Sequence, residues 1–119
     1  MEIEFWEDSD GYKPVWEFIK ESNCSKLIIK KFELYERKEL ADLLKNESAK
    51  ELKGIKEKYK FSLFGFRPGA SRFLFVALKP PEKIFLVHAF RKKTNKTPQA
   101  EINKALRIAI LLSNKHKLR

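Results

Sequence analysis

Hydrophobic and polar residues change their spacing several times along the chain. Ile3 and Phe5 alternate with Glu2, Glu4 and Trp6, which predicts a short strand over 2–6. Ser9-Asp10-Gly11 is a turn signal. From Pro14 the spacing is helical, with Val15, Trp16, Phe18 and Ile19 on one stripe and the proline in the first turn, where its missing N–H costs nothing. Ser22-Asn23 breaks that helix. A longer one is predicted from Ser25, as N-cap, to Lys45, with Leu27, Ile28, Phe32, Leu34, Tyr35, Leu40, Leu43 and Leu44 on its apolar side. These two helices are expected to form an antiparallel hairpin over a sheet. Residues 46–60 are charged and give no clear period; Leu52 and Ile55 are expected to dock on the core, with Gly54 at a bend.

The period then becomes two. Residues 61–66, 73–78 and 84–90 are predicted strands. Pro68-Gly69-Ala70-Ser71 and Lys79-Pro80-Pro81-Glu82 separate them, short enough for antiparallel hairpins. Thr97-Pro98 opens a last helix, Thr97 capping and Pro98 at the first helical position, with the stripe Ile102, Ala105, Leu106, Ala109 and Leu112. The tail from Lys115 is expected to fray. The order β-α-α-β-β-β-α describes one α+β domain over 1–119, with a mostly antiparallel sheet, a helical hairpin on one face and a C-terminal helix.

Charge sharpens this picture. Residues 1–60 hold 13 basic and 14 acidic side chains, whereas 61–119 hold 13 basic ones against Glu82 and Glu101 alone. The second half is a cationic pole that attracts polyanions, nucleic acid above all, because neutralising phosphate releases counterions. The single cysteine, Cys24, allows no internal disulfide and no thiolate metal cluster, which suits a reducing cytoplasm. The acidic N-terminus shows no signal-peptide core, and the apolar run Ile108–Leu112 is too short to span a bilayer.

The densest polar feature is His88 to Pro98. Arg91, Lys92, Lys93 and Lys96 fall within six residues, beginning on a strand and ending at a helix start. Such a cluster is stabilised by an anion, and the helix dipole favours one there too. The alternative is a set of lysines that keep a strand end soluble. Arg67 and Arg72 flank the first strand hairpin. Antiparallel pairing brings them to the sheet end where Arg91–Lys93 also arrives. Arginine grips phosphate bidentately and stays charged. Phe90 is the aromatic best placed to stack on a base. His88 shares strand parity with Ile84, Leu86 and Phe90, so a structural role is favoured over acid–base work.

The segment "HAFRKKTNKTPQAEINKA", His88 to Ala105, resembles the signature of phage-derived HigB-type proteins of the RelE/ParE toxin superfamily. "ELKGIKEKYKFSLFGFRPGASRFLFVAL", Glu51 to Leu78, is similar to that family's Glu-Leu, Gly, Arg-ended strand, loop and Arg-aromatic strand. The resemblance spans nearly the whole chain. It implies a RelE-like fold and the toxin of a type II toxin–antitoxin system. Such a toxin is a growth-inhibiting mRNA endoribonuclease that works without metal or other cofactor, typically on translating ribosomes. It further implies a cognate antitoxin, expected to be a helix-turn-helix protein, as partner beside mRNA and the ribosome, and no membrane.

The expected chemistry is attack of a ribose 2′-OH on the adjacent phosphate. Arg72 and Lys93 would stabilise the phosphorane and Arg67 would hold the phosphate. Arg91, Phe90 and Lys96 would bind RNA. Lys92, Lys93 or His88 would move protons. The chain departs from the family in the Pro68–Ser71 loop, in having no acid expected near the motif, and in lacking a tyrosine on the last strand. The alternatives are a non-catalytic RNA-binding module of the same fold and a ParE-like gyrase inhibitor.

Overall fold

The computed structural model describes residues 1–80 and 83–119; Pro81 and Glu82, in the second strand connection, lie outside the described residues. Ten elements follow in order: β1 (Glu2–Phe5), α1 (Pro14–Glu21), α2 (Ser25–Glu36), α3 (Leu40–Lys45), β2 (Ala49–Glu51), α4 (Ile55–Tyr59), β3 (Phe64–Phe66), β4 (Ser71–Ala77), β5 (Lys83–Arg91) and α5 (Gln99–Ser113). The sheet order is β1-β5-β4-β3-β2. β1 runs parallel to β5, and the remaining pairs are antiparallel. The α+β class inferred from the spacing is the class observed.

Two cores form, one on each face of the sheet. Alternation turns Phe64, Phe66, Phe73, Phe75, Ile84 and Leu86 toward α1, α2 and α3, where they meet Val15, Ile19, Ile28, Phe32, Leu40 and Leu43. Phe66 and Phe75 stack at 4.3 Å and Phe64 and Phe75 at 5.3 Å, so the phenylalanines of this half tile one face. The opposite residues Leu74, Val76, Phe85 and Val87 bury against Ala105, Leu106, Ala109 and Leu112 of α5. The C-terminal helix thus covers the face that the helical hairpin leaves open.

The local structure departs from the periodicity at several points. The long helix expected to Lys45 stops at Glu36. The stripe Ile28, Phe32, Tyr35 would next turn Glu39 into the core. An extended Glu39 resets the phase, so that Leu40 and Leu43 are buried instead. The Met1 ammonium donates to the freed carbonyls of Glu36 (2.9 Å) and Lys38 (3.1 Å). Ser25 does not cap α2; Cys24 holds the cap position, without a side-chain bond.

The tail does not fray. Arg119 N–H donates to Ala77 O, Lys79 N–H to Lys117 O and Ser62 N–H to Arg119 O, while Leu118 bridges Leu78. The tail thereby takes the place beside Ala77 that residues before Phe64 would fill, so β3 begins at Phe64 rather than Phe61. The last departure is a β-bulge. Leu74 pairs with His88 but Phe75 pairs with Leu86, leaving Val87 as the extra residue.

Candidate anion-binding cleft

The sheet end at the β3–β4 hairpin carries the candidate site. Phe66 pairs with Phe73 and Gly65 with Leu74, so Gly65, Arg67, Arg72 and Leu74 share the α5 side of the sheet. Lys50, opposite Gly65 on β2, joins them. A cleft of about 230 Å³ opens there, lined by Lys50, Glu51, Leu52, Lys53, Gly65, Phe66, Arg67, Arg72 and Leu74, with Asn95 and Thr97 from the β5–α5 connection. Gly65 makes its floor: a Cβ there would stand 3.4 Å from Leu74 Cδ2 and begin to fill it. Glu51 alternates away from Lys50, and its carboxylate accepts the Ser62 hydroxyl at 2.7 Å.

Arg72 is partly buried, and its Nη1 donates to Gly69 O (2.9 Å) and Ser71 O (2.8 Å). Those bonds fix the guanidinium against the hairpin. Burial, and then the nearby Arg67 charge, push its pKa below the ordinary arginine value. Among the described residues this arginine, held beside a second one, has backbone carbonyls as its hydrogen-bond partners, and such a charge is best balanced by an incoming anion.

The other cations distribute differently. Arg91 pairs with Ser71, one row beyond the Arg72–Phe90 pair, and stands on the opposite, helical-hairpin side, where it lines a second cavity. Lys92 N–H donates to Ala70 O at 2.7 Å, tying the connection to the hairpin. The side chains of Lys92, Lys93 and Lys96 are exposed, while Asn95 and Thr97 of the same connection line the cleft. The structure therefore brings Arg67 and Arg72 together and puts the loop lysines on the connection that walls their cleft.

His88 corrects its expected parity. The bulge at Val87 turns it from the side of Ile84 and Leu86 to the α5 side. There its Nε2 lies 2.6 Å from Glu101 Oε1, and its ring stacks on Phe90 at 5.8 Å. Glu101 is also the acid that the motif was expected to lack. α5 begins at Gln99, and the extended Pro98, not Thr97, occupies the cap position; Pro98 O accepts the Glu101 and Ile102 amides. Thr97 is thus left to line the cleft.

Lys50, Lys53, Gly65 and Asn95 were not foreseen. The alternation of Lys50 and Leu52 about Glu51 was the available signal, hidden in a strand of three residues.

Taken together, the chain is a small, strongly basic α+β domain with a cationic cleft at one sheet end. Residues 20–109 match the family model described as Phage derived protein Gp49-like (DUF891), and the chain belongs to that family. The matched span contains both cleft arginines and the whole His88–Pro98 segment. A search of curated proteins found no match. Among the described residues no helix is long and apolar enough to cross a membrane.

Proposed function

We propose that this protein is the toxin of a type II toxin–antitoxin system, of the HigB-type branch of RelE-like proteins, and that it cleaves mRNA on translating ribosomes. The observation that carries this reading is the Arg67–Arg72 pair, facing one cleft where Lys50 and Lys53 add positive charge and the carboxylate of Glu51, the acid of its lining, is engaged by Ser62. In the proposed reaction the ribose 2′-oxygen attacks the neighbouring phosphorus and the bond to the 5′-oxygen breaks. Arg72, already fixed by the hairpin carbonyls, meets the charge that grows on the phosphorane without having to reorganise. Arg67 holds the phosphate from the rim, and Lys92 and Lys93 on the connection supply mobile proton carriers. A helix-turn-helix antitoxin is the proposed partner, covering the cationic end.

One observation favours a second reading, an RNA-binding module without cleavage. The imidazole of His88 is engaged by Glu101, and the nearest β2 carboxylate, Glu51, is turned to Ser62. Inducible expression with mapping of mRNA 5′ ends separates the two. Cleavage is expected to give new 5′ ends and growth arrest, and Arg72→Ala to weaken both about 10²- to 10³-fold, the cost of one lost transition-state donor. Intact mRNA with salt-dependent RNA binding would select the binding module. Inhibited gyrase with intact mRNA would overturn the RNA readings altogether.

A further inference from the structure

The helical-hairpin side of the same sheet end holds a second cavity, of about 240 Å³. One wall is the Pro68–Ser71 turn, whose flanking residues Arg67 and Arg72 line the arginine cleft. Phe18 and Leu27 face it from α1 and α2, and Arg91 stands at its edge. Phe18 sets its ring edge-on to Phe73 at 5.8 Å, so one ring plane is fixed by the core beneath. Leu27 is 52 % exposed, a large apolar side chain left in water beside an apolar hollow. Glu21 and Asn23 at the rim supply a carboxylate and an amide, the groups that read base edges.

From this we infer that the cavity is a nucleotide subsite, taking one unpaired base of the RNA strand whose neighbouring phosphate lies in the arginine cleft. The inference rests on the RNA reading above. Three features select this occupant. The cavity is apolar with a single cation at its mouth, which fits a base followed by a phosphate. Its hairpin residues Pro68 to Ser71 directly follow Arg67 and precede Arg72 of the cleft, so the two linings meet along one loop. The Ser71–Arg91 and Arg72–Phe90 pairs are adjacent rows on neighbouring strands, so the backbones of Arg91 and Arg72 lie about 6 Å apart on the diagonal and their side chains point to opposite sides. A strand that contacts both must fold over the sheet end. An unpaired strand can do this and a duplex cannot.

The test uses uncleavable single-stranded RNA, 2′-deoxy at the scissile position, lengthened one nucleotide at a time and titrated against the whole protein. One step of lengthening is expected to tighten binding about tenfold, the worth of one stacked base. Leu27→Glu and Arg91→Ala are expected to abolish that step, the shorter oligonucleotides losing only the small, salt-dependent affinity that one unit of net charge supplies. With 5-iodouridine at the added position, ultraviolet crosslinking is expected to mark peptides containing Phe18 or Leu27. A tenfold step that survives in both variants, with adducts confined to the arginine cleft, would overturn the subsite and leave the cavity to a polypeptide partner. Failure of the wild-type protein to bind RNA of any length would instead overturn the parent reading, and the subsite with it.

Discussion

Gly65 offers a perturbation in which stability and function should move in opposite directions. It sits within β3, buried, with a backbone that any residue can adopt. A Cβ would meet Leu74 Cδ2 at 3.4 Å, Phe73 O at 3.7 Å and Leu52 Cδ1 at 3.9 Å, all ordinary contacts. Glycine in a strand interior costs about 0.5–1 kcal/mol in chain entropy relative to alanine. Gly65→Ala should recover that amount, and the added contacts push the same way. For a domain of this size the gain is a Tm rise of about 2–5 °C.

Gly65→Leu should keep part of that gain, because its side chain lies against Leu52 and Leu74. Its added carbons, however, occupy the floor of a cleft of only about 230 Å³, between Lys50 and the two arginines. A phosphate would then be held away from Arg72, and activity should fall to the level of Arg72→Ala. Thermal denaturation followed by circular dichroism, beside growth arrest on induction, reads both quantities on one protein. A folded Gly65→Leu protein with undiminished toxicity would refute the cleft as the seat of the chemistry.

Three further outcomes are expected. Deleting residues 117–119 strips partners from the buried Ser62 amide and Ala77 carbonyl and removes Leu118 from the second core, which should cost about 2–4 kcal/mol and lower Tm by roughly 10 °C; an unchanged melt would mean that the tail is not structural. His88→Gln should lower Tm by a few degrees while mRNA cleavage persists, because His88 is engaged with Glu101 on α5 and not in the cleft; complete loss of cleavage by a folded variant would make His88 a proton carrier. Tyr35, buried and stacked on Phe66 at 4.5 Å, has its phenol pKa raised by burial. The fold therefore tolerates the neutral phenol best, and stability should fall as pH climbs above the ordinary tyrosine value of about 10. Tyr35→Phe should flatten that decline, as followed by denaturant melts across alkaline pH.

The parts of the fold that could be read from sequence are those in which burial is periodic over several residues. β4 and β5 announce themselves because one face meets the phenylalanine core and the other meets α5. α1 and α5 show stripes that tertiary packing respects. The parts that could not be read depend on contacts between segments far apart in sequence. β2 is three residues long and two of them are charged, so only pairing with β3 makes it a strand. The start of β3 is decided by a tail more than fifty residues downstream. The break at Arg37–Glu39 is set by which leucines the sheet can accept. Thr97-Pro98 has the composition of a capped helix start, yet Pro98 stays extended and Thr97 turns to the cleft.

The candidate site shows most plainly what linear clustering can and cannot tell. Arg91, Lys92 and Lys93 are consecutive, and a run of like charge reads as one patch. Strand alternation divides it: Arg91 goes with Ser71 to the helical-hairpin side, while Phe90 and Arg72 face α5. Upstream, the bulge at Val87 reverses the parity of everything after it, which carries His88 to Glu101. Two kinds of electrostatic effect must therefore be kept apart. Attraction of a polyanion from a distance sums over all these cations, whichever way they point. Stabilising one phosphorane requires donors on the same side within hydrogen-bonding reach, and the pair proposed for this, Arg67 and Arg72, is separated in sequence by the hairpin and shares one cleft. Removing a loop lysine should slow encounter in a salt-dependent way. Removing Arg72 should slow the chemical step at any salt concentration.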